Sequence, residues 1–136
     1  MLALDLMPGT RMRIAGSLAG AALLAALPEQ ERGYLRQMFE HQTGRDWPAF
    51  RRRIAEKMLQ IQEFGFCMSP GEWTPEISSV SVPIGIAGRP PWVLSCTGRT
   101  SRITRGRMER ELGPRMLAIV QHIQQGMLVD ASRAPE

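Results

Sequence analysis

Two rhythms of apolar and polar positions run along this chain, one helical in period and one alternating. Leu2-Ala3-Leu4-Asp5-Leu6 alternates like a short strand, and Pro8-Gly9 reads as a turn behind it. Ser17 is placed to cap a helix running to about Leu27, built almost wholly of Ala, Leu and Gly. Side chains this small let a helix lie close against a sheet, or let a ligand approach its backbone. Pro28 suits the first turn of a second helix, with Glu29 and Glu31 near its positive end and Tyr34, Leu35, Met38 and Phe39 as its buried stripe. A polar loop over 41–45 follows. Asp46 is the expected cap of a third helix, with Pro48 in its first turn. Phe50, Ile54, Met58, Ile61 and Phe64 form the apolar stripe of that helix, and Gly65 is its stop.

The rhythm then changes. Phe66 to Ser69 reads as a short strand and Pro70-Gly71 as a turn. From Ile77 to Ile84 alternation is strict, with Val80, Val82 and Ile84 on one face and Ser79 and Ser81 on the other. After a connection over 85–90, Trp92, Leu94 and Cys96 share a face opposite Val93, Ser95 and Thr97. Thr104 is a candidate cap for a last helix, whose stripe is Met108, Leu112, Met116, Ile119, Val120, Ile123 and Met127. Pro114 is expected to bend that helix near its start, and Gly126 to end it. The pattern thus predicts an α+β domain over residues 1–128 and a flexible tail over 129–136, with no internal repeat or dividing linker.

Composition narrows the classes. The chain has 136 residues, 43% of them hydrophobic, enough for one domain with a core and too few for a two-domain enzyme. No apolar run reaches the roughly 18 residues of a membrane span. Arg11 and Arg13 ahead of the run 14–27 resemble a signal-peptide core, but Asp5 and the Pro8-Gly9 turn before them break that pattern. Two cysteines, Cys67 and Cys96, suit reduced thiols in the cytoplasm better than a disulfide scaffold or a zinc site. The net charge is +4, nearly all of it arginine, since Lys57 is the one lysine. Arg51-Arg52-Arg53 reads as a solvated helix face. Arg99, Arg102, Arg105, Arg107 and Arg110 offer a route to nucleic acid, but no aromatic residues interleave with them as single-strand binding prefers.

No catalytic constellation is visible. His41 and His122 have no Cys, Asp or Glu at metal-ligand spacing, so neither a metal nor a cofactor is expected. Gly16-Ser17-Leu18-Ala19-Gly20 only loosely echoes a nucleophile elbow, and its serine fits a helix cap better. The informative feature is the set of small hydroxyls. If the strands bearing Ser79, Ser81, Ser95 and Thr97 are neighbours, these side chains line one surface. Ile77 and Pro83 share that surface and point to its partial burial. A pocket between it and the helix opening at Ser17-Leu18-Ala19 would favour an anion, since free N–H groups and the helix dipole converge there. The bland alternative is a face turned to water.

These residues, in this order, resemble the C-terminal effector-binding domain of IclR-family transcriptional regulators. The resemblance rests on Pro8-Gly9-Thr10-Arg11-Met12 ahead of the stretch 17–29, on Gly65-Phe66, on Val80-Ser81-Val82-Pro83-Ile84 and on Ser101-Arg102-Ile103-Thr104 before a long helix. It implies a GAF-like fold, a mainly antiparallel sheet flanked by helices, that binds small aromatic or aliphatic organic acids and forms homodimers or tetramers. By position it implies a pocket of Leu18, Ala19, Ile77, Ser79, Ser95 and Thr97, with Met12 or Ile14 as an apolar wall. Where the family often carries an acidic or polar residue, this chain has Ser69, followed by Pro70-Gly71, which implies an effector unlike the small keto acids of some relatives. The winged helix-turn-helix through which relatives reach DNA is absent from this chain, and the resemblance starts inside the family's usual sheet. A ligand-free GAF-like dimerisation module is the alternative reading.

Overall fold

The computed structural model describes residues 7–11 and 17–133, except for the side chains of Trp73 and of residues 129–133. The expected strand over 2–6, and Met12 and Ile14, lie outside the described residues.

Helix α1 spans Leu18–Ala26. Ser17 has the extended backbone of a cap and accepts from the Gly20 N–H at 3.0 Å, as its sequence position predicts. The carboxyl end of α1 has no basic residue of its own. Arg32 of the next helix supplies one: its Nε donates to the Leu24 carbonyl at 2.9 Å and its Nη2 to that of Leu27 at 2.9 Å. Helix α2 spans Glu29–Thr43 and passes through a single 3-10 turn, Gly44–Asp46, into α3, Trp47–Phe64. The expected loop over 41–45 is therefore mostly helical. Asp46 has helical backbone and no capping hydrogen bond from its side chain, because the chain is already coiled when it arrives there. Gly65 closes α3 in the left-handed region (φ 86°), its N–H donating to Ile61 at 2.8 Å.

Three antiparallel strands follow in the order β1-β2-β3, with β1 at Cys67–Thr74, β2 at Ile77–Ile84 and β3 at Trp92–Arg99. Strand β1 runs past the Pro70-Gly71 pair that reads as a turn. Those residues sit instead in a bulge, where the register with β2 shifts between Pro70 and Thr74. Gly71 takes φ 67°, and a Cβ on it would lie 2.8 Å from the Pro75 carbonyl oxygen, so glycine alone fits there.

One sheet face, with Met68, Val80, Val82 and Ile84, packs with Phe66 against Met108, Met116 and Val120. These last belong to one coil made of α4 (Arg105–Arg107, capped by Thr104), a π segment (Met108–Leu112) and α5 (Gly113–Arg133). Pro114 lacks an N–H and its ring crowds the carbonyl four residues back. The coil widens just before it, and the Gly113 N–H donates to the Met108 carbonyl. The helix continues through Gly126 to Arg133, beyond its expected stop. The contact stripe is also narrower than expected. Ile119 and Ile123 lie on its flank, 51% and 38% exposed. On α2, likewise, Phe39 is buried while Tyr34 and Met38 face solvent.

The other sheet face is covered by α1 and, over β1, by α3. Leu24, Leu27, Phe39 and Ile54 tie α1, α2 and α3 together outside that layer. Helices on both faces of an antiparallel sheet give the α+β architecture expected from the sequence.

Candidate functional site

The hydroxyl-bearing face is the one that α1 covers. Leu18 and Ala22 pack on Cys67, with Val93 against the same cluster. Cys67 is paired with Ser81, and Ser81 with Ser95, so this cluster sits on the hydroxyl face. Ala26 at the far end of α1 approaches Gly85, just beyond β2, so helix and strand run the same way.

Strand register turns the alternation into rows. Ser69, Ser79 and Thr97 are cross-strand partners in one row, and Cys67, Ser81 and Ser95 in the next. Ser79 and Thr97 hydrogen-bond at 2.9 Å, and Ser81 and Ser95 at 2.7 Å. Burial falls across the sheet. Ser69 and Ser81 are 1% and 0% exposed, Ser79 is half-buried, and Ser95 and Thr97 on β3 are open to solvent. Ile77, at the start of β2, is half-buried. Ser69 is the exception to the pairing. Its Oγ is buried with no hydrogen-bond partner among the described residues.

At the opening of α1, Ser17 satisfies the Gly20 N–H, and the Ala21 N–H donates to the Ser17 carbonyl at 3.2 Å. Helix geometry leaves the N–H groups of Leu18 and Ala19 to their surroundings. Leu18 is buried and Ala19 half-buried. The sequence-derived residues thus fall on one face and the helix that roofs it, with Ile77 at the margin and Thr97 on the solvent side.

A charged residue escaped the sequence reading. Lys57 is 0% exposed, its ammonium 2.6 Å from the Met68 carbonyl oxygen and 2.6 Å from Glu72 Oε2. The signal was available, because Lys57 falls between Ile54 and Ile61 on the apolar stripe of α3, where a charge has to find a partner. Cys67 lies in the field of this pair. Burial pushes its thiol up to about 12, against a smaller downward pull from Lys57, so it remains a protonated packing group. Its Sγ lies 3.7 Å from the Ser81 carbonyl oxygen. Among the described residues no three of His, Cys, Asp or Glu converge as a metal site, and no helix is long and apolar enough to cross a membrane.

The basic segment after β3 is largely engaged with its own helix. Arg105 pairs with Glu109 at 3.2 Å and Arg107 with Glu111 at 3.3 Å, each at helical spacing.

The profile of the bacterial transcriptional regulator IclR C-terminal family matches residues 1–125. The chain belongs to this family. An IclR-family regulator from Brucella abortus is similar in structure, with a TM-score of 0.84 and 29% identity over 92% of this chain and 47% of that one. The HTH-type regulator TsaQ1/TsaQ2 of Comamonas testosteroni is 26% identical over 94% of this chain and 46% of its own length. The chain therefore spans about half the length of these relatives. A more distant neighbour is the inducer-binding domain of a PobR double mutant from Acinetobacter, solved with 3-hydroxybenzoic acid. At 16% identity and a TM-score of 0.62, over 90% of this chain and 74% of that one, it shares the IclR domain fold.

Proposed function

We propose that this IclR-type domain is the effector-binding part of a ligand-responsive transcription regulator, and that its effector is a small organic acid. The acid would lie between the hydroxyl face and the opening of α1. One observation carries the reading: the buried, unpartnered Ser69 Oγ on the face that α1 covers. Leaving a buried hydroxyl unpaired costs about 1–3 kcal/mol, and an acceptor brought by a ligand offsets that cost.

The neighbouring groups support the same chemistry. A pair of hydroxyls uses one O–H for its mutual bond and leaves the other free to donate. Ser79 with Thr97 and Ser81 with Ser95 therefore provide a spare donor apiece. The amides of Leu18 and Ala19 add donors and the positive end of the α1 dipole, worth about 0.3–1 kcal/mol toward a carboxylate. Ile77 and Leu18 supply apolar surface for the rest of the molecule. The exposed flank at Ser95 and Thr97 is the side from which an acid would enter. Dissociation constants of about micromolar to millimolar are expected for such a site after association costs. The 3-hydroxybenzoic acid in the related PobR domain makes an aromatic acid a reasonable first probe.

In the whole regulator, binding would favour one arrangement of a homodimer or tetramer. That would change the spacing of winged helix-turn-helix domains on DNA in the bacterial cytoplasm, with a coupling of about 1–3 kcal/mol. Thermal denaturation against a panel of small organic acids tests the proposal. At least one acid, 3-hydroxybenzoate among the candidates, should raise the midpoint with dose. Ser79→Leu or Ser95→Leu should remove the shift. A folded chain that responds to none of them overturns the reading in favour of a ligand-free dimerisation module.

A further inference from the structure

We propose that Lys57 is a positioning residue for this site, its ammonium clamping β1 on both sides of Ser69 and so fixing where the Ser69 hydroxyl stands. The proposal rests on the effector reading above.

Met68 immediately precedes Ser69, and Glu72 lies three residues beyond it, past the Gly71 kink. The same ammonium reaches both, at 2.6 Å each, and Glu56 Oε1 lies 3.9 Å away. Between Pro70 and Thr74 the ladder with β2 is interrupted, so ordinary strand pairing does not hold this stretch. Within it the Lys57–Glu72 contact ties the strand to helix α3, and just ahead of it α3 also holds Met68. Gln60 Oε1 accepts the Met68 N–H at 2.9 Å while Lys57 takes the Met68 carbonyl, so both backbone groups of the residue before Ser69 are fixed from one helix.

Packing does not account for a lysine here. An apolar side chain of similar volume would continue the stripe of Ile54 and Ile61 without the cost of burying a charge. What the ammonium adds is a donor that can serve a carbonyl and a carboxylate together. Glu72, 2.6 Å from the ammonium, carries the opposing charge, so the role assigned to Lys57 is one of geometry and not of attraction for an anion. The Cys67 thiol, on the same face as Ser69, registers both charges with opposite sign.

Lys57→Met removes the clamp and keeps the apolar stem. Glu72→Ala removes one arm of the clamp while freeing a positive charge beside the site. The two variants separate the roles, because a charge role predicts tighter anion binding by Glu72→Ala and a clamp predicts weaker binding. In each variant, exchange of the Ser69, Gly71 and Glu72 amides should accelerate by about tenfold or more, with Val80 and Val82 unchanged. Affinity for 3-hydroxybenzoate should fall by about tenfold in both. Unchanged exchange, exchange that rises equally through β2, or tighter binding by Glu72→Ala overturns the proposal. If Lys57→Met fails to fold, Glu72→Ala carries the test, since that side chain is 32% exposed. If the unaltered chain does not bind 3-hydroxybenzoate, that acid is excluded as effector and the exchange measurement alone judges the clamp.

Discussion

The Ser81 hydroxyl, fully buried, meets the exposed Ser95 hydroxyl at 2.7 Å across β2 and β3. The two ends of this bond are unequal. Ser95→Ala strands a buried hydroxyl and should cost about 1–3 kcal/mol, whereas Ser81→Ala leaves Ser95 free to turn to water and should cost about 1 kcal/mol or less. Urea denaturation of the two single variants checks the order, and equal or reversed costs contradict it.

Ser69 predicts the opposite sign. Its hydroxyl is buried without a partner among the described residues, so Ser69→Ala removes a desolvated group and leaves no bond unmade. The variant should be more stable than the parent by about 1 kcal/mol in the absence of any acid, and should respond less to the acid that stabilises the parent. Calorimetry with and without ligand measures both. A variant that is clearly less stable would show that the hydroxyl has a structural partner.

Much of this site was legible because hydroxyls on strands obey a period of two. Alternation alone grouped Ser79 with Ser81 along one strand and Ser95 with Thr97 along the next, and the antiparallel register then set them directly opposite each other on one sheet face. The α1 cap at Ser17 was equally plain, since a small hydroxyl before an Ala-rich run has a single obvious role. The misses have a common cause, which is tertiary contact overriding a local signal. Pro70-Gly71 is turn chemistry, yet β1 uses it to kink within the sheet. Gly126 is stop chemistry, yet α5 continues through it. Lys57 lies on the apolar stripe of α3, but its partners, the Met68 carbonyl and the Glu72 carboxylate, are brought to it only by the fold. The ligand role of the hydroxyl face rests on the proposal above.

Cys67 gives a dependence on pH. Its thiol is raised from the ordinary 9.0 to about 12, chiefly by burial. Below pH 9 both folded and unfolded chains keep the proton and the group makes no difference. Between about pH 9 and 12 the unfolded chain loses that proton while the folded chain retains it, so stability falls as pH rises, by up to about 1.4 kcal/mol per unit. Cys67→Ala should flatten that decline. A chemical-denaturation series from pH 8 to 11 would show it, and parallel curves for both proteins would refute the assignment.

Gly113 sets backbone preference against space. In a helix, alanine is favoured over glycine by about 1 kcal/mol. A Cβ at this position would run into the Phe66 ring, which is itself buried in the core. Overpacking costs about 1–3 kcal/mol, so the steric term should win and Gly113→Ala should be destabilising. Thermal denaturation decides it. A neutral or stabilised variant would mean that Phe66 has room to rotate away.

Because Gln60 and Lys57 occupy the outward amide and carbonyl of Met68, the β1 margin is sealed by side chains where an incoming backbone would need vacant partners. Among the described residues β3 is the opposite edge of the sheet. A backbone extending the sheet past Met68 would have to displace both side chains, whereas the hydroxyl rows reach solvent on the opposite flank, at Ser95 and Thr97.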